Sequence, residues 1–73
     1  MEAKELRKFA RWASTRRKEL GMSMYAVGKM TGLHPTAIAK IERNAQDVKL
    51  TTFVKICEAL NANPARVLVE LLG

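Results

Sequence analysis

The tightest constraint on this chain is two helix signals that fall almost back to back. Gly32 closes an apolar helical pattern carrying Met24, Val27 and Met30, and His34-Pro35 opens another carrying Ile38 and Ile41. Proline suits the first position of a helix, where its missing N–H is not needed, and it forces the residue before it into an extended conformation. Ser23 is a good N-cap for the earlier segment. Two short helices are thus separated by little more than Leu33, and they must meet at a steep angle through a tight turn. No stretch alternates with period two for long enough to make a strand, so the expected fold class is all-α.

Three more helical segments complete the reading. The first, residues 3–20, has an apolar row at Leu6, Ala10, Ala13 and Leu20 reinforced by Phe9, and it stops at Gly21. Arg17 stands in that same row, so its guanidinium needs a carboxylate partner if the row is buried. Trp12 lies off the stripe, as a packing or rim residue or as a contact for another chain. After a polar stretch at 44–49, Leu50, Phe53, Ile56, Cys57 and Leu60 recur at helical spacing and predict a helix over 50–61. Asn63 as N-cap and Pro64 at the first position start a last helix over 64–72. The expectation is one compact domain, 1–73, with helices at 3–20, 23–31, 35–43, 50–61 and 64–72.

A chain of 73 residues buries only about 60% of the surface its unfolded form exposes, and such domains often need a staple. Cys57 is the one cysteine, so there is no internal disulfide, and His34 is the only other soft ligand, so no zinc site can be assembled. Association with a second copy remains. The last helix suits it, because Val67, Leu68, Val69, Leu71 and Leu72 leave it apolar on more than one side. No apolar run approaches the length of a membrane span, and Glu2, Lys4 and Glu5 at the start do not fit a signal peptide. The expectation is a cytoplasmic protein with no membrane partner.

Charge narrows the class of partner. Thirteen Lys and Arg stand against seven Asp and Glu, for a net charge of +6. The segment up to Leu20 alone carries Lys4, Arg7, Lys8, Arg11, Arg16, Arg17 and Lys18 against Glu2, Glu5 and Glu19, whereas Lys55 and Arg66 balance Glu58 and Glu70 in the final third. One end is thus built for an anion and the other for protein. An enzyme is not expected, since one histidine and scattered acids supply no nucleophile–base pair, no paired carboxylates and no phosphate-cradling glycine loop. No cofactor or metal is expected either.

Two short helices with a small residue at their inner contact (Gly28) and a glycine in the turn (Gly32) make a helix-turn-helix. The stretch from Ser23 to Asn44, SMYAVGKMTGLHPTAIAKIERN, ends in Ile-x-x-Ile-Glu-Arg-Asn and is followed by Leu-x-x-Phe-x-x-Ile-x-x-x-Leu and by Asn-Pro. In this combination the chain resembles the Cro/lambda-repressor-like (Xre) family of DNA-binding domains over nearly its whole length. The resemblance implies five helices and a buried ion pair between Arg17 and Glu42. It also implies that the third helix enters the major groove of double-stranded DNA.

On that footing, Pro35, Thr36, Ala39 and Lys40 would meet base edges, with Lys40 suited to guanine and Thr36 or Ala39 to a thymine methyl. Phosphates would fall to Ser23, Met24, His34, Arg43, Asn44, Gln46, Lys49 and Thr51. Met24 stands where the family often has glutamine, and Lys49 replaces the usual small N-cap. The implied function is a sequence-specific transcriptional regulator, a repressor acting as a homodimer on a palindromic operator. Its subunits would join through Val67, Leu68, Leu71 and Leu72 and set two recognition helices about 34 Å apart. An antitoxin or a restriction-modification controller would share this fold, and a toxin or antirepressor could be a protein partner. A protein–protein adaptor with no preference among DNA sequences is the rival from another class. The implied setting is bacterial or phage-type and nucleoid-associated.

Overall fold

Each helix begins where a local signal lets it. In the computed structural model, which describes residues 3–44 and 48–73 (Ala3 and Asn44 by backbone alone), α1 runs Ala3–Glu19, α2 Met24–Thr31, α3 Pro35–Asn44, α4 Leu50–Ala59 and α5 Pro64–Leu72. Ser23 caps α2 by accepting the Ala26 N–H at 3.0 Å, and Asn63 caps α5 by accepting the Ala65 N–H at 2.8 Å. Both proline starts stand at the first helical position. The ends are tighter than periodicity suggests. α1 stops at Glu19, with Gly21 at φ 67°, and α4 stops at Ala59, two residues short of the expected 61, because Asn61 turns left-handed at φ 56°.

Phe9 organises the core. It is fully buried, its ring 5.0 Å from that of Phe53 and 6.0 Å from that of Trp12, which stacks on it and is thereby held half-buried against the core. Val27 of α2, Ile38 of α3, Ile56 and Cys57 of α4 with Leu60 just past its end, and Val67 and Leu71 of α5 close around the phenylalanines. A smaller cluster of Leu6 and Ala10 packs Ile41 and Val48 against α1. Three residues placed in apolar rows from the sequence lie outside this core. Leu20 is exposed, Met30 is 63% exposed on the outer side of α2, and Leu50 is 73% exposed on the first turn of α4.

α1 ties the other helices by their ends. Arg16 donates from Nε to the carbonyl of Leu60 (3.0 Å) and from Nη2 to that of Asn61 (3.3 Å), and Lys8 Nζ reaches the carbonyl of Leu71 at 3.4 Å. Cations at the carbonyl ends of α4 and α5 satisfy orphan acceptors and complement the helix dipoles. α5 in turn spends one face on the core. Val67 and Leu71, expected from the sequence at an intersubunit contact, are buried there within the single chain. The outward apolar face is Val69 (70% exposed) and Leu72 (65%), with Leu68 half-buried beside them.

Cys57 has no accessible surface, and burial, aided by the charge of Glu58, pushes its thiol up to about 11. The native protein is expected to resist a thiol reagent at pH 8 and to react once unfolded, as read by mass spectrometry. Because the unfolded thiol ionises near its ordinary 9.0, stability falls as pH rises through the window from about 9 to about 11. Cys57→Ala is expected to flatten that fall.

Candidate nucleic-acid interface

The turn between α2 and α3 is fixed by three local devices. Gly28 lets the chain fold back on α2, since a Cβ there would stand 2.6 Å from the carbonyl oxygen of Leu33 and 3.6 Å from Pro35 Cδ. Gly32 takes φ 80° and caps α2 with its N–H on the carbonyl of Gly28. Thr31, the buried polar residue at the end of α2, donates its hydroxyl to the carbonyl of Val27 at 2.9 Å and accepts the Leu33 N–H at 3.2 Å. Its side chain thus joins the last turn of α2 to the turn that follows. Apolar periodicity passes over this threonine, although a hydroxyl next to Gly32 is a local signal for such a bridge.

His34 has a role that its position alone did not disclose. Its Nδ1 accepts the backbone N–H of Thr36 at 3.1 Å, so the imidazole caps the first turn of α3 and leaves Nε2 as its free edge. Past Pro35, Ile38 is 2% exposed and fixes which side of α3 faces inward. The opposite side presents Thr36, Lys40 and Arg43, all exposed and spaced four and three residues apart, flanked by half-buried Pro35 and Ala39.

The inner side of α3 is held by charge. Arg17 donates from Nε to Glu42 Oε2 at 2.7 Å and from Nη2 to Oε1 at 3.0 Å, while its Nη1 holds the carbonyl of Met22 at 2.9 Å. The two side chains are only 12% and 8% exposed. The hydrogen bond from Glu42 outweighs burial and raises the guanidinium above its already high ordinary pKa. α1, the α1–α2 connection and the end of α3 thereby become one unit.

The residues assigned to phosphates fall into three groups. Ser23 is exposed at the start of α2, its oxygen engaged as the cap and its O–H still free to donate, whereas the Met24 side chain packs against the core and leaves only its backbone N–H. Lys49 and Thr51 stand exposed at the start of α4, and Lys49 makes no side-chain cap there. Arg43 is exposed at the far end of α3. The Asn44 side chain and Gln46 lie outside the described residues. Lys29 on α2 places its ammonium 5.5 Å from the centroid of the Tyr25 ring, beside His34.

Two short helices locked at their turn, the second showing one polar and basic stripe above a supporting three-helix platform, define a helix-turn-helix protein of the DNA-binding class. The sequence profile of the Helix-turn-helix family (HTH_3) matches residues 15–67, and the chain belongs to that family, the Cro/lambda-repressor-like (Xre) domains. No curated protein matches it. Solved structures do. The restriction-modification controller protein C.AhdI from Aeromonas hydrophila is 26% identical, with a TM-score of 0.77 over 85% of this chain and 94% of that one. A Y37A mutant of the restriction-modification controller C.Esp1396I is 25% identical, with a TM-score of 0.83 over 92% and 87%. The P22 c2 repressor, solved in complex with a synthetic operator, is 27% identical, with a TM-score of 0.72 over 81% and 89%.

Proposed function

We propose that this chain is a sequence-specific regulator of transcription that represses from a two-fold operator as a homodimer. The observation that carries this reading is the exposed stripe of α3. Thr36 and Lys40 project from a helix whose other side is fixed by Ile38 and by the Arg17–Glu42 pair, so their side chains approach a groove without the scaffold having to rearrange. Lys40 is the residue suited to guanine O6 and N7, and Thr36 to a base edge or a thymine methyl. Pro35 and Ala39 complete the base-facing set with apolar contact. Ser23, the Met24 N–H, His34 Nε2, Arg43, Lys49 and Thr51 clasp the backbone on either side, with Asn44 and Gln46 proposed from their sequence positions.

Dimerisation is supported by the uncovered Val69 and Leu72 with Leu68, a face that one copy leaves in water. Among regulators, the restriction-modification controller is the favoured setting, because two of the similar structures named above are such controllers.

Selection of bound duplexes from a random-sequence pool, with the mass of the protein measured in solution, tests the reading. A two-fold consensus and a dimer support it, and equal recovery of all sequences overturns it. Lys40→Ala is expected to relax preference at one position of each half-site by about 1–2 kcal/mol, roughly a tenfold loss of discrimination, while non-specific affinity changes far less.

A further inference from the structure

α1 carries a charge pattern that its role as a strut does not explain. Arg7, Arg11, Ser14 and Lys18 recur along one stripe of the helix, the three cations exposed and Ser14 half-buried. Arginines four residues apart repel, and among the described residues neither Arg7 nor Arg11 has a carboxylate within ion-pair distance. Beside this stripe lies a cleft of about 340 Å³ between α1 and the end of α3, in which Arg7, Arg11, Ser14 and Thr15 meet Arg43. Among the described residues its one carboxylate, Glu42, is already held in a two-pronged pair by Arg17. Three arginines, Ser14 and Thr15 therefore line one space, with Ala10 and the hydrocarbon stems of the long side chains supplying its apolar wall.

We infer that this cleft is a second phosphate site, which carries the contact with DNA from the helix-turn-helix onto α1. The inference rests on the DNA-binding reading above and adds a surface that the recognition helix alone does not supply. Arg43 makes the connection, since it follows Lys40 on the exposed stripe of α3 and also lines the cleft. A duplex lying on Thr36 and Lys40 runs past Arg43, and its next phosphates meet Arg11 and Arg7. Planar, weakly hydrated guanidinium groups suit phosphate oxygens, and Ser14 and Thr15 can donate to the same oxygens. The site carries no base readout, so its contribution is independent of sequence.

The test compares the wild type with Arg7→Gln/Arg11→Gln, both exposed positions, on two duplexes across a salt series: one of mixed sequence and one selected by the wild type from a random pool. Thermal unfolding checks that the variant keeps its fold. The slope of log K against log salt is expected to become shallower by about 1.8 per bound subunit, about 3.6 for a dimer, at about 0.9 for each phosphate no longer neutralised. Both duplexes are expected to weaken by the same factor, leaving their ratio intact. An unchanged slope overturns the cleft site while leaving the regulator reading in place. Conversely, a wild type that does not prefer its selected duplex overturns that reading, and the mixed-sequence slopes still decide the cleft. Protection by inorganic phosphate alone, with DNA slopes unaltered, marks a site for a different anion and overturns the inference.

Discussion

Glu42→Ala is expected to lower the melting temperature by roughly 15 °C, the equivalent of about 3 kcal/mol in a domain of this size. Removing the carboxylate leaves the Arg17 guanidinium 12% exposed, with one carbonyl partner and no counter-charge. Stranding a buried charge in this way costs more than the intact pair contributes, since forming the pair itself required both ions to leave water. The residual exposure places the loss at the lower end of the range for such sites. Arg17→Ala is expected to cost at least as much, because the bond to the Met22 carbonyl goes with it. Arg17→Met combined with Glu42→Leu is expected to recover most of the loss, since no buried ion remains. Thermal unfolding followed by circular dichroism measures all three. Single variants that melt with the wild type would show that the pair holds nothing together.

The second large effect is expected at Gly28. Alanine would set a Cβ 2.6 Å from a backbone oxygen of the turn, and a backbone carbonyl cannot swing aside as the tip of a side chain can. The turn must move as a piece and carry the start of α3 with it. A stability loss of about 2–3 kcal/mol is expected from the overpacking. Binding to a selected duplex should fall by at least about tenfold at a temperature where the variant is still folded, because under the proposed reading a displacement of Thr36 by even about 1 Å would spoil direct readout. Calorimetric titration with that duplex separates the two effects. A folded variant with unaltered affinity would mean that the separation of α2 and α3 does not set the position of the recognition stripe.

What sequence reasoning reached, and what it did not, divides by the range of the interaction. Ser23, Gly32, Pro35 and Asn63-Pro64 act on backbone within a few residues of themselves, so the five helices and the turn were legible from their signals. Periodicity was enough to place Phe9, Ile38 and Phe53 inside. It could not rank the faces of α5, where apolar residues occupy both. Spacing alone does not tell that Val67 and Leu71 are buried within the chain while Val69 stands outside. Leu50 and Met30 show the same weakness, since spacing marks an apolar side but does not say how far the core extends. The carbonyl anchors of Arg16 and Lys8 join positions more than forty residues apart and leave no mark in local pattern. The histidine cap on α3 depends on the orientation of one ring and was equally hidden. Arg17 was visible as a charge out of place, and a family resemblance was needed to name Glu42 as its mate.

The anchoring of α1 also limits how far this recognition surface can be transplanted. Residues 24–44 alone would take Lys40 away from Arg17, which holds Glu42, and from the packing that seats Ile38. Grafted onto another protein, that pair of helices would be free to splay, and its lysine would sample many poses above a base pair. The smallest portable reader is therefore the five-helix assembly as a whole, and any redesign of its target has to be confined to the outward stripe of α3.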